Sequence, residues 1–516
     1  MNIKHISAAW VAGLLALTSC NNFLDEMPDN RTELNTPEKI TKILVTAYPE
    51  ASWNMLAEFS SDNIDDNGPS YSEYDRLTEE VYHWKDSRET GNDSPGNLWE
   101  YCYKAAATAN LALEAIDRMG NPGSLSAQRG EALMCRAYAH FVLAYIFCHA
   151  WNEHNQDTAP GIPYATKPET SVSPSYQRGT LRETYRHIQD DIEEALPLID
   201  DNLYTVPKYH FNVKAANAFA ARFYLYTCQY DKAIACANTV LGNNPSALLR
   251  NWQALGSLSL NDDVQPNAYV DAASPGNLML KTAYSFWGLY NGPLTVTARY
   301  THNSVIAKNE TMQADGPWGN SDVMHLKPAD YTVIPKVIYR KFPLFYFEVV
   351  DPSAYTGYYR IVESVFTTDE TLLVRAEAYA MKKDYTRALA DMQCWQDNFT
   401  SSGVQLTEEL INDFYGKMDY YTPGKPTAKK ELHPDFTVEP GTQENMIHFI
   451  LHARRILTMH EGLRWGDIKR YGITIYRRLV VRRDITVTDE MTAADPRRAL
   501  QLPSLVISAG LQANPR

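Results

Sequence analysis

The chain has 516 residues, with 62 acidic against 48 basic side chains and a formal charge of −14 at pH 7. Such a balance repels a phosphate backbone and excludes a nucleic-acid partner. The length exceeds one ordinary core, so two or more packed subregions are expected, and 44% hydrophobic with 21% charged residues is a globular composition.

In chain order, Lys4, an apolar run from Ala8 to Leu17 broken by Gly13, and then small residues read as a signal peptide over 1–19. No later apolar run is long enough to span a bilayer. Leu17-Thr18-Ser19-Cys20 resembles a bacterial lipobox. That resemblance implies cleavage before Cys20, a thioether from its sulfur to diacylglycerol, and acylation (palmitate) of the new amino terminus. Each buried methylene contributes about 0.8 kcal/mol, so several chains make a lasting anchor. Residues 20–36 then form a flexible tether. Thr36-Pro37-Glu38, a cap followed by proline, opens a helix to about Tyr48 and the main domain, 37–516.

A loop from Ser60 to Asn97 carries Tyr71, Tyr74, Tyr82 and Trp84. Apolar residues at three and four spacing predict an antiparallel helix pair, Leu98 to Met119 and Ser126 to Ala150, turned at Gly120-Asn121-Pro122-Gly123-Ser124. A further helix runs from about Thr180 to Leu196. Two later segments look like copies: Ala221, Tyr224, Tyr230 and Ala233 share their offsets with Ala376, Tyr379, Tyr385 and Ala388. Each reads as helix, short turn, helix, in tetratricopeptide style. Between them, about 251–352, lies an irregular, aromatic-rich insertion with short strands such as Leu294 to Thr297. The helical frame is expected over about 37–250 and 353–471, with a loop-rich stretch from Tyr415 to Thr442 and one last amphipathic helix from Glu444 to Tyr471. The fold class is therefore mainly α, a tetratricopeptide-like scaffold with loop-rich insertions.

Cys102, Cys135, Cys148, Cys228, Cys236 and Cys394 fall in helical segments and read as small buried apolar residues. Without a CxxC pattern, neither a zinc ribbon nor a redox motif is supported.

Sugar rings present C–H faces that pack on aromatic rings, and a hydroxyl rim that needs directional partners. On that chemistry the candidate ligand residues are Trp287, Tyr290 and Asn291, with Arg299 and Tyr300 nearby, then Trp318 between two glycines, and Trp84 beside Asp86 and Arg88. Trp99, Trp395 and Trp465, on helical periods, are core or interface. His448 and His452 sit four apart but lack the glutamate of a zincin helix. Asn63 to Gly68 resembles the start of an EF-hand loop, yet Tyr74 occupies the place of its bidentate glutamate. No metal or cofactor is called for. No nucleophile elbow, phosphate-binding glycine loop or dinucleotide fingerprint occurs. Asp190-Asp191 and Glu193-Glu194 read as a solvated helix face, so the chain is expected not to be an enzyme.

The lipobox with Phe23-Leu24-Asp25 and Pro28, the helix Arg129 to His140, Gly161-Ile162-Pro163-Tyr164, Arg454-Arg455 with the run Glu461 to Arg470, Leu502-Pro503 and the closing Asn514-Pro515-Arg516 together resemble the SusD family (RagB/SusD). The late helix departs from the family at His452-Ala453 and at Gly466. The resemblance implies four tetratricopeptide-like units and a nutrient-binding lipoprotein of the outer membrane, facing the cell exterior, that caps a SusC-like TonB-dependent transporter. It does not carry over ligand-contacting residues. The leading expectation is a glycan cargo; the alternatives are a peptide or other nutrient in the same role, and a surface glycoside hydrolase.

Overall fold

A computed structural model describes residues 34–169, 176–331, 333–344, 346–482 and 484–516. Cys20, the signal peptide and most of the tether lie outside the described residues.

Helix α1 (Pro37–Leu44) starts where Thr36 caps Lys39. The long pair α2 (Pro95–Arg118) and α3 (Ser126–Phe147) follows; Ser94 caps α2 and Pro95 stands at its first position. From Gly130 onward every residue of α3 is buried, because α2 covers one side and α4 (Leu181–Ala195) another. Helix α4 opens with a capping box, Thr180 and Glu183 each bonding the other's backbone N–H.

The two sequence copies are copies in space. Helices α5 (Val213–Tyr226) and α6 (Tyr230–Leu241) match α7 (Thr368–Met381) and α8 (Tyr385–Phe399). At each turn one residue takes left-handed backbone, Cys228 at φ 58° and Lys383 at φ 62°. The next N–H then reaches back, Gln229 to the Tyr224 carbonyl at 2.8 Å and Asp384 to that of Tyr379 at 2.9 Å. Ala221, Ala233, Ala376 and Ala388 are buried where the helices cross. Helix α6 packs on α7, so the copies form one stack, continued by α9 (Glu408–Lys417) and α10 (Thr442–Leu457).

The expected single helix to Tyr471 is two. Helix α10 ends at Leu457, and α11 (Leu463–Arg470) begins after a turn in which His460 and Gly462 have φ of 72° and 75°. Tertiary contacts enforce this break. The Gly462 N–H donates to Glu58 at 2.8 Å, and a Cβ there would lie 3.0 Å from that of Ala57. Gly466 makes room for Tyr145, whose hydroxyl accepts from its N–H at 2.7 Å.

Among the described residues, strands form three small sheets. Strand β1 (Asp65–Asp66) joins β3 (Tyr300–Thr301) to the C-terminal hairpin β8 (Ile475–Val481) and β9 (Asp484–Met491). Strand β2 (Asn277–Tyr284) pairs with β7 (Thr356–Thr367), which pairs with β6 (Tyr346–Asp351); β4 (Ala329–Tyr331) pairs with β5 (Lys336–Ile338). The run Leu294 to Thr297 is not a strand but a 3₁₀ turn at Thr295–Thr297. Helical structure resumes at Thr368, directly after β7. The six cysteines among the described residues are free thiols, buried or half-buried; Cys228 lies in a turn and Cys148 at a helix end rather than inside helices. Among the described residues, no helix is long and apolar enough to cross a membrane.

Charge is buried at the centre. Arg454, 0% exposed, donates to Glu370 at 3.2 Å and Asp467 at 3.1 Å. Arg222 also donates to Glu370, and Arg470 to Asp467 and Glu377. Arg455 and Arg464 bind Asp62, and Arg455 and Lys430 bind Glu310. Burial alone raises both carboxyls. The surrounding cations overcome this, holding Asp62 below its ordinary range and Glu310 down to about 2. Removing one partner strands the other charge. Arg454→Met should therefore cost about 3–5 kcal/mol in urea unfolding.

Glu58 titrates the other way. Burial raises its carboxyl to about 7, against about 4.3 when unfolded. The folded chain then binds more protons than the unfolded one between those values, so lowering the pH favours folding at this site. Relative to Glu58→Gln, the parent protein should gain stability as pH falls from 8 towards 5, read from denaturation midpoints of the pair.

Candidate functional site

Local contacts turn the tryptophans expected to stack on a ligand into core. Trp287 is 1% exposed; its indole N–H donates to the His460 carbonyl at 2.8 Å and its ring meets Phe59 edge-on. Trp318, also 1% exposed, is wedged between Trp395, Phe449 and His452. The space beside Gly316 is taken by the indole rather than left for a ligand. A Cβ on Gly316 would lie 2.1 Å from the Trp318 indole, so glycine is what lets that ring fold inward. Trp84 lies under the Arg477 guanidinium, 3.8 Å from its centroid, and donates to the Ser60 carbonyl.

The polar candidates are likewise engaged. Tyr290 is buried and donates to Asp75 at 3.1 Å; burial, then Asp75, pushes its phenol well above the usual range. Asn291 is buried and donates to the Trp287 carbonyl, Arg299 is held by Asp66 and Glu73, and Tyr300 packs on Tyr82. Asp86 pairs with Arg516. These residues brace the insertion and do not converge on a cleft.

The weaker constellations are structural too. His452 faces the Tyr415 hydroxyl at 3.2 Å, and burial lowers its imidazole to about 3. His448 lies 3.5 Å from Glu444. Asp65 and Asp66 of the EF-hand-like run are ion-paired with Arg478 and Arg299. Among the described residues, no group of three or more His, Cys, Asp or Glu is arranged to hold a metal ion. Asp191 is not on a solvated face: it accepts two bonds from buried Arg136 and one from Tyr164.

The exposed aromatic surface is elsewhere, on the β6–β7 hairpin. Register puts Phe347 opposite Tyr359, and Tyr346 opposite Arg360, which in turn faces Tyr284. Alternation therefore sends two sets of side chains to opposite faces. On one face Tyr101, Tyr284 and Tyr358 adjoin, but Arg360 covers the Tyr284 ring at 4.0 Å and Lys104 lies over Tyr101. On the other face five rings form a row, Tyr74, Phe286, Tyr359, Phe347 and Tyr355, with successive centroids 5.9, 5.2, 5.0 and 5.6 Å apart; the three inner rings are half-buried. Tyr74 at one end is 38% exposed and Tyr355 at the other 72%.

Asp93 underpins this row. Its carboxylate accepts from the Phe286 N–H at 2.7 Å and the Ser285 hydroxyl at 2.6 Å, fixing where the chain leaves β2. Burial raises that carboxyl to about 7. A separate groove of about 600 Å³ is lined by Asp262, Asp263, Asp330, Tyr331 and Arg340. It offers one ring where the hairpin offers five, and Arg340 is paired with Asp263. The sequence signal for the row was the density of rings in Tyr346-Phe347 and Tyr355-Thr356-Gly357-Tyr358-Tyr359 about the turn residues Asp351-Pro352-Ser353.

A tetratricopeptide-like helical scaffold thus carries a strand-bearing layer with an aromatic row along one face of its hairpin. The SusD-like_3 model, described as starch-binding and associating with the outer membrane, matches residues 22–225. SusD-like protein P38 of Formosa agariphila is 26% identical over 400 residues, covering 72% of this chain and 71% of its own. A SusD superfamily protein from Bacteroides thetaiotaomicron has the same fold, with TM-score 0.63 at 17% identity over 92% of this chain and 98% of that one. A laminarin-binding SusD-like protein aligns with TM-score 0.55 at 16% identity over 93% and 98%. The chain is thus similar to SusD-like proteins in its N-terminal sequence and in its fold.

The buried tryptophans should behave as core. Trp287→Ala and Trp318→Ala should each lower unfolding free energy by about 3–5 kcal/mol in chemical denaturation.

Proposed function

We propose that the protein is a lipid-anchored, non-catalytic receptor on the outer face of the outer membrane. It binds a glycan along the row from Tyr74 to Tyr355 and delivers it to a SusC-like TonB-dependent transporter. The observation that carries the glycan reading is the row of five rings on the hairpin, exposed at Tyr74 and Tyr355. Apolar area left in water gains about 25 cal/mol per Å² when covered, and pyranose C–H faces suit flat rings. The starch-binding description of the matched family and the laminarin-binding relative support the same cargo class. The lipobox at Cys20 supports the anchor, and the similarity to SusD-like proteins supports the transporter partner.

Tyr355→Ala and Tyr74→Ala, at exposed positions, should each weaken glycan binding by about 1–2 kcal/mol in calorimetry, with far-ultraviolet dichroism unchanged. Retained affinity in the pair would move the site to the groove beside Arg340. Cys20→Ala should fold and bind the same glycan and should be lost from the membrane fraction; stable outer-membrane retention of that variant would overturn the anchor.

A further inference from the structure

Resting on the glycan reading above, we infer that the groove beside Arg340 is a second subsite, built for an amino-sugar unit whose protonated amine sits between Asp262 and Asp330. At about 600 Å³ it falls within the roughly 300–1,000 Å³ of small-molecule sites. Leu260, Pro293 and Leu344 give it apolar walls, and the half-exposed Tyr331 gives it a ring.

Charge follows from which polar groups are already spent. One oxygen of Asp263 accepts from Arg340 and the other from the Leu344 N–H at 2.8 Å. Asp262 and Asp330 are exposed, and among the described residues neither carboxylate has a hydrogen-bond or ion-pair partner. Arg340 is the one basic residue among the described lining, and it is paired with Asp263. Lys327, adjoining Pro328, is engaged by the Ser321 and Asp322 carbonyls, and Lys336 is buried against those of Tyr290, Gly292 and Leu294. Two carboxylates therefore stand uncompensated in one groove.

A metal ion is not the missing cation. With Asp263 spent, two carboxylates are left, and among the described residues no group of three or more His, Cys, Asp or Glu is arranged to hold one. Arg340 adds a demand for oxygen. It is 7% exposed and donates to the Leu260 carbonyl at 3.1 Å and to Asp263, while its Nε has no partner. A buried donor left unmade is costly, so a ligand oxygen beside the amine completes the guanidinium. An amino sugar supplies both groups on one ring, with a C–H face for Tyr331. Acetylation of its nitrogen removes the charge that the two carboxylates attract, and a uronate reverses it.

The test is calorimetry of the mature protein, at low salt, with glucosamine oligomers of four units and with their N-acetylated counterparts. The amine series should bind at least tenfold more tightly, and the gap should close as salt rises. Asp262→Asn with Asp330→Asn should abolish the gap with far-ultraviolet dichroism unchanged, while Tyr74→Ala with Tyr355→Ala should leave it intact. Equal binding of the two series, or a gap that persists in the asparagine pair, overturns this inference and leaves the receptor reading standing. Tetralysine held by the same two aspartates more tightly than the glucosamine oligomer also overturns it, the groove then being a peptide site. Binding of neither series overturns the inference alone where neutral laminari- or malto-oligosaccharides still bind, and the glycan reading with it where they do not.

Discussion

The structure hangs on the Arg454 guanidinium, buried completely and shared between Glu370 and Asp467. Taking such charges out of water costs several kcal/mol per ion, and the cost is offset only when the set is complete. Completeness here requires elements far apart in sequence: Arg222 from α5, Glu370 and Glu377 from α7, Arg454 from α10, Asp467 and Arg470 from α11. Asp62, far upstream, is drawn in through Arg455 and Arg464. The network therefore specifies one arrangement of the helical stack, because any other leaves ions unpaired in a low dielectric.

The same region positions the binding layer. The turn that breaks α10 from α11 presents backbone carbonyls to the insertion and to the N-terminal segment. His460 accepts from Trp287, Glu461 from Trp53, and Gly462 from the Tyr145 hydroxyl. Trp287 opens the short helix that follows Phe286, so the start of the aromatic row is tied to the centre of the scaffold in two residues. A continuous helix to Tyr471 would carry none of these carbonyls outward. The left-handed backbone at His460 and Gly462 thus links the scaffold to the site.

Regular repetition is what sequence reveals, and here it revealed the helices. Alanines at three and four spacing gave α2 and α3, and the shared offsets of Ala221 and Ala376 gave the two copies, because helix packing is written in one local period. The split after Leu457 was hidden, since Glu58, which enforces it, is four hundred residues upstream. Asp191 was legible and misread: it lies three residues after buried Ile188 and one before Ile192, on the packed face. The tryptophans failed for another reason. A glycine beside Trp318 allows either a ligand or the indole itself to approach the backbone, and only tertiary contacts decide which.

Under the proposed receptor role, exposed tyrosine fits release of a cargo better than enclosed tryptophan. Each ring and sugar pair contributes about 0.5–1.5 kcal/mol beyond area, while association costs at least about 4 kcal/mol in lost freedom. Five such pairs contribute roughly 2.5–7.5 kcal/mol beyond area, of the same order as that cost, so net affinity stays modest. Dissociation at that strength is fast, and specificity must come from the polar groups at the margins, here Asp75 and Asp351. The phenol hydroxyls at Tyr74 and Tyr355 keep the row wettable when it is empty, which a strip of indoles or phenylalanines of the same area would not.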